Sequence, residues 1–201
     1  MSVLSGGMDL YNSPERLNSM KRILQGMKDR DRAIAFLECL EARGLNTLTV
    51  LKYGIQLPRI MKELGVNADR GHIEEFMRKI NNDAGYSIWT KRAYKQTVRR
   101  FYQYLKNGDI SGQYPDEVAW LKTNVSERQQ AKESRVTPDK LLSVDEVRLI
   151  IEKCTSPRNR AMLSVLFEGA FRPGELLAMN VGSVSFQKDY CVVSTKGKTG
   201  I

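Results

Sequence analysis

Arg172 and Lys196 are the residues whose types and spacing suit chemistry best. Arg172 stands in the run Phe171-Arg172-Pro173-Gly174-Glu175-Leu176-Leu177, where Pro173 fits the first position of a short helix and Glu175 follows the arginine by three. Lys196 comes 24 residues later in a Thr195-Lys196-Gly197-Lys198 turn, with Lys198 as the second candidate. A phosphodiester under attack gains negative charge on its non-bridging oxygens, and a guanidinium meets that charge with a planar fork of donors. An ammonium suits a different task, giving a proton to the departing oxygen. Glu175 is spaced to hold the guanidinium through an i,i+3 contact. Taken singly, Arg-x-x-Glu is also the pattern of a surface ion pair, and Lys-Gly-Lys that of an ordinary turn. Their order and spacing together favour half of a phosphoryl-transfer site.

The elements around these residues read clearly. Ser143 and Glu146 form a capping box at the entrance of a helix carrying Val147, Ile150 and Ile151. A helix from about Pro157 to Gly169 is apolar on most sides and is expected to be the buried spine of its domain. Val184–Phe186 and Tyr190–Ser194 read as two strands joined by Gln187-Lys188-Asp189, with residues 195–200 as the next hairpin turn.

Upstream, the chain reads as four or five short helices without a strand signal. One starts at Ser13-Pro14, one runs from Arg30 to about Arg43, and one opens at Asn46 or Thr47 and is interrupted or kinked at Pro58. Another follows Asp69, and the last spans roughly Ser87 to Lys106. Tyr94, Val98, Phe101 and Leu105 give this last helix a core-facing stripe. Its other side is basic. No carboxylate falls between Asp83 and Asp109, whereas Lys91, Arg92, Lys95, Arg99, Arg100 and Lys106 all do. Without acidic partners the intrahelical pairing that normally occupies such charges is missing, so a nucleic-acid phosphate backbone is the expected ligand. Tyr102 lies among the basic positions and is expected to stack on bases or bond phosphates, while Tyr104 is assigned to the core. His72, the single histidine, is assigned to the surface.

The 201 residues carry a net charge of +9 and 41% hydrophobic residues, enough for a sizeable core. The longest apolar runs fall well short of the roughly 20 residues of a membrane span, and the N-terminus has no secretory pattern, so a cytoplasmic location and no membrane partner are expected. Cys39, Cys154 and Cys191 are odd in number and widely spaced, which predicts reduced, mostly buried thiols and no metal site. Asp109, Gly112, Pro115, Ser126, Ser134 and Pro138 punctuate the stretch from about Asn107 to Leu142, and Asn124 to Lys140 is polar and charged, giving an expected division into a helical domain at 1–121, a linker at 122–142 and a second domain at 143–201.

The segment Leu166-Phe167-Glu168-Gly169-Ala170-Phe171-Arg172-Pro173-Gly174-Glu175-Leu176-Leu177 resembles the first catalytic box of the tyrosine recombinases, the family of phage-type integrases and Xer-like recombinases. Ala170-Phe171 replaces the commoner Gly-Leu before the arginine. The resemblance spans nearly the whole chain. It implies a mainly α protein: a helical SAM-like core-binding domain, then the beginning of an α+β catalytic domain with a small antiparallel sheet. It implies double-stranded DNA as partner, further recombinase protomers assembled on that DNA, and no metal or nucleotide cofactor. Arg172 matches the phosphate-binding arginine, Glu175 its support, and Lys196 the catalytic lysine. The family's His/Lys-x-x-Arg box and tyrosine nucleophile come after the lysine hairpin, and all eight tyrosines here precede Lys196. The chain is therefore expected to be inactive in strand cleavage alone and to be a monomer free in solution. Two other readings stay open. One is a non-catalytic DNA-binding module or integrase relic that occupies a recombination site, and the other is a basic helical protein that binds an acidic partner.

Overall fold

The computed structural model describes residues 12–126 and 138–195, which fall in two compact units. The first unit is helical. It comprises α1 (Ser13–Gln25), α2 (Arg30–Ala42), α3 (Thr47–Glu63), α4 (Arg70–Asn82), α5 (Ile88–Asn107) and the short α6 (Asp116–Ala119).

Local chemistry sets most of these boundaries. Asn46, Asp69 and Ser87 are N-caps whose side chains accept the backbone N–H of Thr49, His72 and Thr90. Gly108 closes α5 at φ +70°, a left-handed conformation that glycine adopts without strain, and its N–H returns to the Tyr104 carbonyl. α1 begins one residue earlier than its Ser-Pro signal suggests, with Asn12 as N-cap. Pro58 does not interrupt α3, which carries buried Leu57, Ile60 and Met61 across it. Burial of such side chains stabilises by about 1.5–3 kcal/mol each, which offsets the proline's lost hydrogen bond.

The core of this unit is formed by α1 to α5, with Leu24, Phe36, Leu37, Leu57, Ile73 and Phe101 among its fully buried residues. Phe36 is its centre, 5.9 Å from Tyr53, 5.3 Å from Phe101 and 5.6 Å from Tyr104 between ring centroids. Edge and tilted ring contacts of this kind add to the burial energy. At the end of α5, Arg100, Gln103 and Asn107 donate to the carbonyls of the following loop, fixing residues 110–113 against the helix.

The second unit contains α7 (Val144–Lys153), α8 (Pro157–Gly169), α9 (Pro173–Leu177) and the antiparallel pair β1 (Val184–Phe186) and β2 (Cys191–Val193). The register pairs Val184 with Val193 and Phe186 with Cys191. The Ser143–Glu146 capping box is present in both directions. The mainly helical architecture with one small antiparallel sheet is as the sequence implies.

Burial in the second unit is not. α8 was expected to be an enclosed spine, yet no described residue of this unit is fully buried. α7, α9 and a two-stranded sheet are too little structure to enclose a helix that is apolar on most sides. The cysteines are free, but Cys191 is exposed and Cys39 and Cys154 only partly covered, so the expectation of buried thiols does not hold.

Candidate nucleic-acid interface and phosphate site

α5 places Lys91, Arg92 and Lys95 along one wall of an open groove of about 400 Å³. The opposite wall is the extended chain after α6, where Lys122, Thr123 and Asn124 line the groove. No carboxylate lines it. Among the described residues Lys91, Arg92, Lys95, Arg99, Lys106 and Lys122 take part in no ion pair. Arg59 on α3 shows the contrast, since Glu63 and the Tyr86 hydroxyl occupy its guanidinium. Unneutralised cations on both walls create a concentrated positive potential suited to a polyanion.

The other basic residues of α5 divide by role. Lys106 is exposed near the helix end. Arg99 lies with its guanidinium 3.7 Å from the centre of the Tyr114 ring, and its Nε is buried without a hydrogen-bond partner. Arg100 was expected to face DNA, but it turns back on the protein, donating to the Ile110 carbonyl at 2.7 Å and to Gln103 at 3.1 Å. Tyr102 is likewise not a surface residue. It is 6% exposed, and its hydroxyl donates to the Gly65 carbonyl at 3.0 Å. Burial raises its phenol well above the usual range. Tyr104, assigned to the core, is half-buried against Phe36.

Lys122 was assigned to the linker on composition and not to the interface. Its signal is its neighbour: Leu121 is buried, so the chain is still anchored to the helical unit when it reaches Lys122.

In the second unit, Arg172 is the N-cap residue of α9, and Glu175 engages it twice. The carboxylate accepts the Arg172 backbone N–H at 2.9 Å and its guanidinium at 2.8 Å. These bonds hold the Glu175 carboxyl below the ordinary glutamate range. The arginine side chain is 77% exposed while the glutamate is 15% exposed, so Glu175 acts as a fixed anchor that leaves guanidinium donors facing solvent. The approach to Arg172 is tight. A Cβ on Gly169 would come within 2.1 Å of the Phe171 ring, so only glycine allows that ring to fold back over the end of α8. Ala170 takes the turn at φ +49°, a strained conformation for a residue with a side chain.

At the other end of this unit, Thr195 donates its hydroxyl to the Glu175 backbone carbonyl at 3.3 Å. The chain leaving β2 is thereby tied to the helix that carries the arginine. Lys196 and Lys198 lie outside the described residues.

A tyrosine recombinase of Pseudothermotoga lettingae is 27% identical to this chain over 187 residues, covering 89% of this chain and 59% of that protein. The chain is similar to a tyrosine recombinase. It spans about three-fifths of the relative's length. No family model matches the chain, and no solved structure matches it. The similarity to a recombinase covers both units, so the basic groove and the Arg172 clasp lie in one related stretch. His72 is on the surface, 2.9 Å from Asp69, and does not line the groove. No described helix is long and apolar enough to cross a membrane.

Proposed function

We propose that this chain is a DNA-binding component of site-specific recombination, gripping double-stranded DNA with its helical unit and presenting part of a phosphoryl-transfer site with its second unit. The observation that carries this reading is the α5 groove, whose two walls hold four cations with no acidic lining. In this reading Lys91, Arg92, Lys95 and Lys122 bind successive phosphates, with Arg99 and Lys106 extending the track. Residues 1–121 together with Lys122 form the grip, the rest of 122–142 the link, and 143–201 the start of a catalytic domain. DNA is the partner, together with further recombinase protomers on it, and the cytoplasm is the place of action.

The chemistry proposed for the second unit is supported by the Arg172–Glu175 clasp and by the resemblance of this segment to the recombinase box. Attack by a tyrosine hydroxyl on phosphorus forms a phosphotyrosine bond and breaks the bond to the 5′-oxygen. Arg172, set by Glu175, bonds the non-bridging oxygens as their charge grows. Lys196 supplies the proton that the departing 5′-oxygen takes up. The last tyrosine of the 201 residues is Tyr190, ahead of the lysine, so the nucleophile is not among them. These residues alone therefore cleave no DNA. The matching test is a suicide-substrate assay with and without the remainder of a recombinase catalytic domain supplied in trans. A covalent protein–DNA adduct only in the complemented reaction, lost with Arg172→Ala, is expected. An adduct that survives Arg172→Ala would contradict the assignment.

A further inference from the structure

Glu175 holds two different parts of its unit at once. Its carboxylate accepts the backbone N–H and the guanidinium of Arg172 at 2.9 and 2.8 Å. Its backbone carbonyl accepts the Thr195 hydroxyl at 3.3 Å, a residue 20 positions further along the chain. The carbonyl is available to such a partner because α9 is only five residues long. In a longer helix it would receive the N–H of Met179, four residues on, but that N–H bonds the Leu176 carbonyl at 3.1 Å instead.

The strand side of the contact is fixed as well. Val193 of β2 pairs with Val184, and the Ser194 N–H continues the pairing to the Ser183 carbonyl at 2.8 Å. Ser194 is exposed and Thr195 half-buried, the alternation of an extended strand, so Thr195 is the hydroxyl turned toward α9. The next residue in sequence is Lys196. Consecutive Cα atoms are about 3.8 Å apart across a trans peptide, so a side chain that follows an anchored residue starts from a bounded place. This matters most for a lysine, whose ammonium rides on a flexible four-carbon stem and must reach within hydrogen-bond distance of the oxygen it protonates.

Resting on the phosphoryl-transfer reading above, we infer that Thr195 is a positioning residue for that reaction, its hydroxyl setting the base of Lys196 relative to Arg172 through the Glu175 carbonyl. Glu175 is then a common reference for two cations. Its carboxylate aims the guanidinium at the non-bridging oxygens, and its carbonyl spaces the ammonium toward the departing 5′-oxygen. Thr195 touches neither DNA nor the reacting atoms. Its loss weakens protonation of the leaving group and leaves charge stabilisation by Arg172 intact.

Two measurements on the full chain test this assignment. The first needs no DNA and follows exchange of the Ser194 amide in the unmodified protein, Thr195→Val and Thr195→Ser. Thr195→Val removes the hydroxyl at nearly constant shape and is expected to speed exchange about five-fold, the worth of one neutral hydrogen bond, while Thr195→Ser stays near the unmodified rate. Equal exchange in all three would overturn the tie. The second is the rate of covalent adduct formation on a suicide duplex with the rest of a recombinase catalytic domain supplied in trans. The scissile phosphate carries either the natural 5′-oxygen or a bridging 5′-sulfur, which departs as a thiolate and so needs no proton donor. Thr195→Val is expected to slow the oxygen duplex about ten-fold and to match the unmodified chain on the sulfur duplex. Thr195→Ser is expected to restore the oxygen duplex, and Arg172→Ala to be slow on both. A Thr195→Val deficit of equal size on both duplexes, or none on either, would overturn the positioning role while adduct formation by the unmodified chain keeps the phosphoryl-transfer reading standing. No adduct from the unmodified chain on either duplex would overturn that reading, and the role of Thr195 with it.

Discussion

The two units of this chain solve folding to very different degrees. The helical unit encloses Phe36, Leu57, Ile73 and Phe101 completely, whereas the second unit encloses none of its described residues and leaves Val181 94% and Phe186 83% exposed. The difference shows that local order and tertiary burial are independent. The second unit has well-formed caps, a reciprocal Arg172–Glu175 clasp and a paired hairpin, all short-range interactions. Five mutually packed helices supply what those interactions do not, a place where large apolar side chains lose contact with water.

The strongest challenge to this contrast is a pair of truncations. Phe36→Ala removes a fully buried ring with three aromatic neighbours and is expected to destabilise the helical unit by about 3–5 kcal/mol in urea unfolding. Phe167→Ala, at a partly exposed position on α8, is expected to cost less than about 1 kcal/mol. Equal losses would mean that both units have comparable cores.

Next in size are two changes in the second unit that act through the backbone and a cap. Ala170→Gly relieves the left-handed strain ahead of Arg172 and is expected to stabilise that turn by about 1 kcal/mol, read as slower local amide exchange. Faster exchange there would show that the conformation is not strained. Ser143→Ala removes the side-chain half of the capping box and is expected to cost about 1 kcal/mol of α7 stability, seen as increased exchange at its first turn.

The smallest effect is on acid stability. Glu175 and Glu146 both have folded-state affinities for protons below the ordinary glutamate value, through bonds from Arg172 and Ser143. The stabilisation linked to a depressed carboxyl is complete above the unfolded value, about pH 4.3, and is lost as pH falls through the lower folded value. Glu175→Gln is therefore expected to flatten the acid limb of the second unit's unfolding profile. An unchanged acid limb would count against the clasp.

What the sequence revealed follows the same division. Asn46, Asp69, Ser87 and the Ser143–Glu146 box are legible because a cap is a matter of three or four neighbouring residues. The acid-free interval around Lys91, Arg92 and Lys95 is legible because the charges share one helix. Lys122 is not, because its place opposite α5 depends on the path of the chain after Leu121. Tyr102 was misassigned although it follows Val98 by four and so continues the buried stripe; the loop at Gly65 covers it, and no local pattern announces that cover. Arg100 was misassigned because its partner is a loop carbonyl that any residue type provides. The buried α8 failed because an apolar helix specifies a need for cover without naming what supplies it.

The claim on which the functional account depends is that the α5 groove binds DNA phosphates. The direct measurement is the affinity for a duplex of arbitrary sequence as a function of salt, for the unmodified chain and for Lys91→Gln, Arg92→Gln, Lys95→Gln and Lys122→Gln. The account predicts a steep loss of affinity with salt, with the slope of log K against log salt reduced by about 0.9 for each cation removed. A slope that is unchanged when all four are neutralised would contradict it.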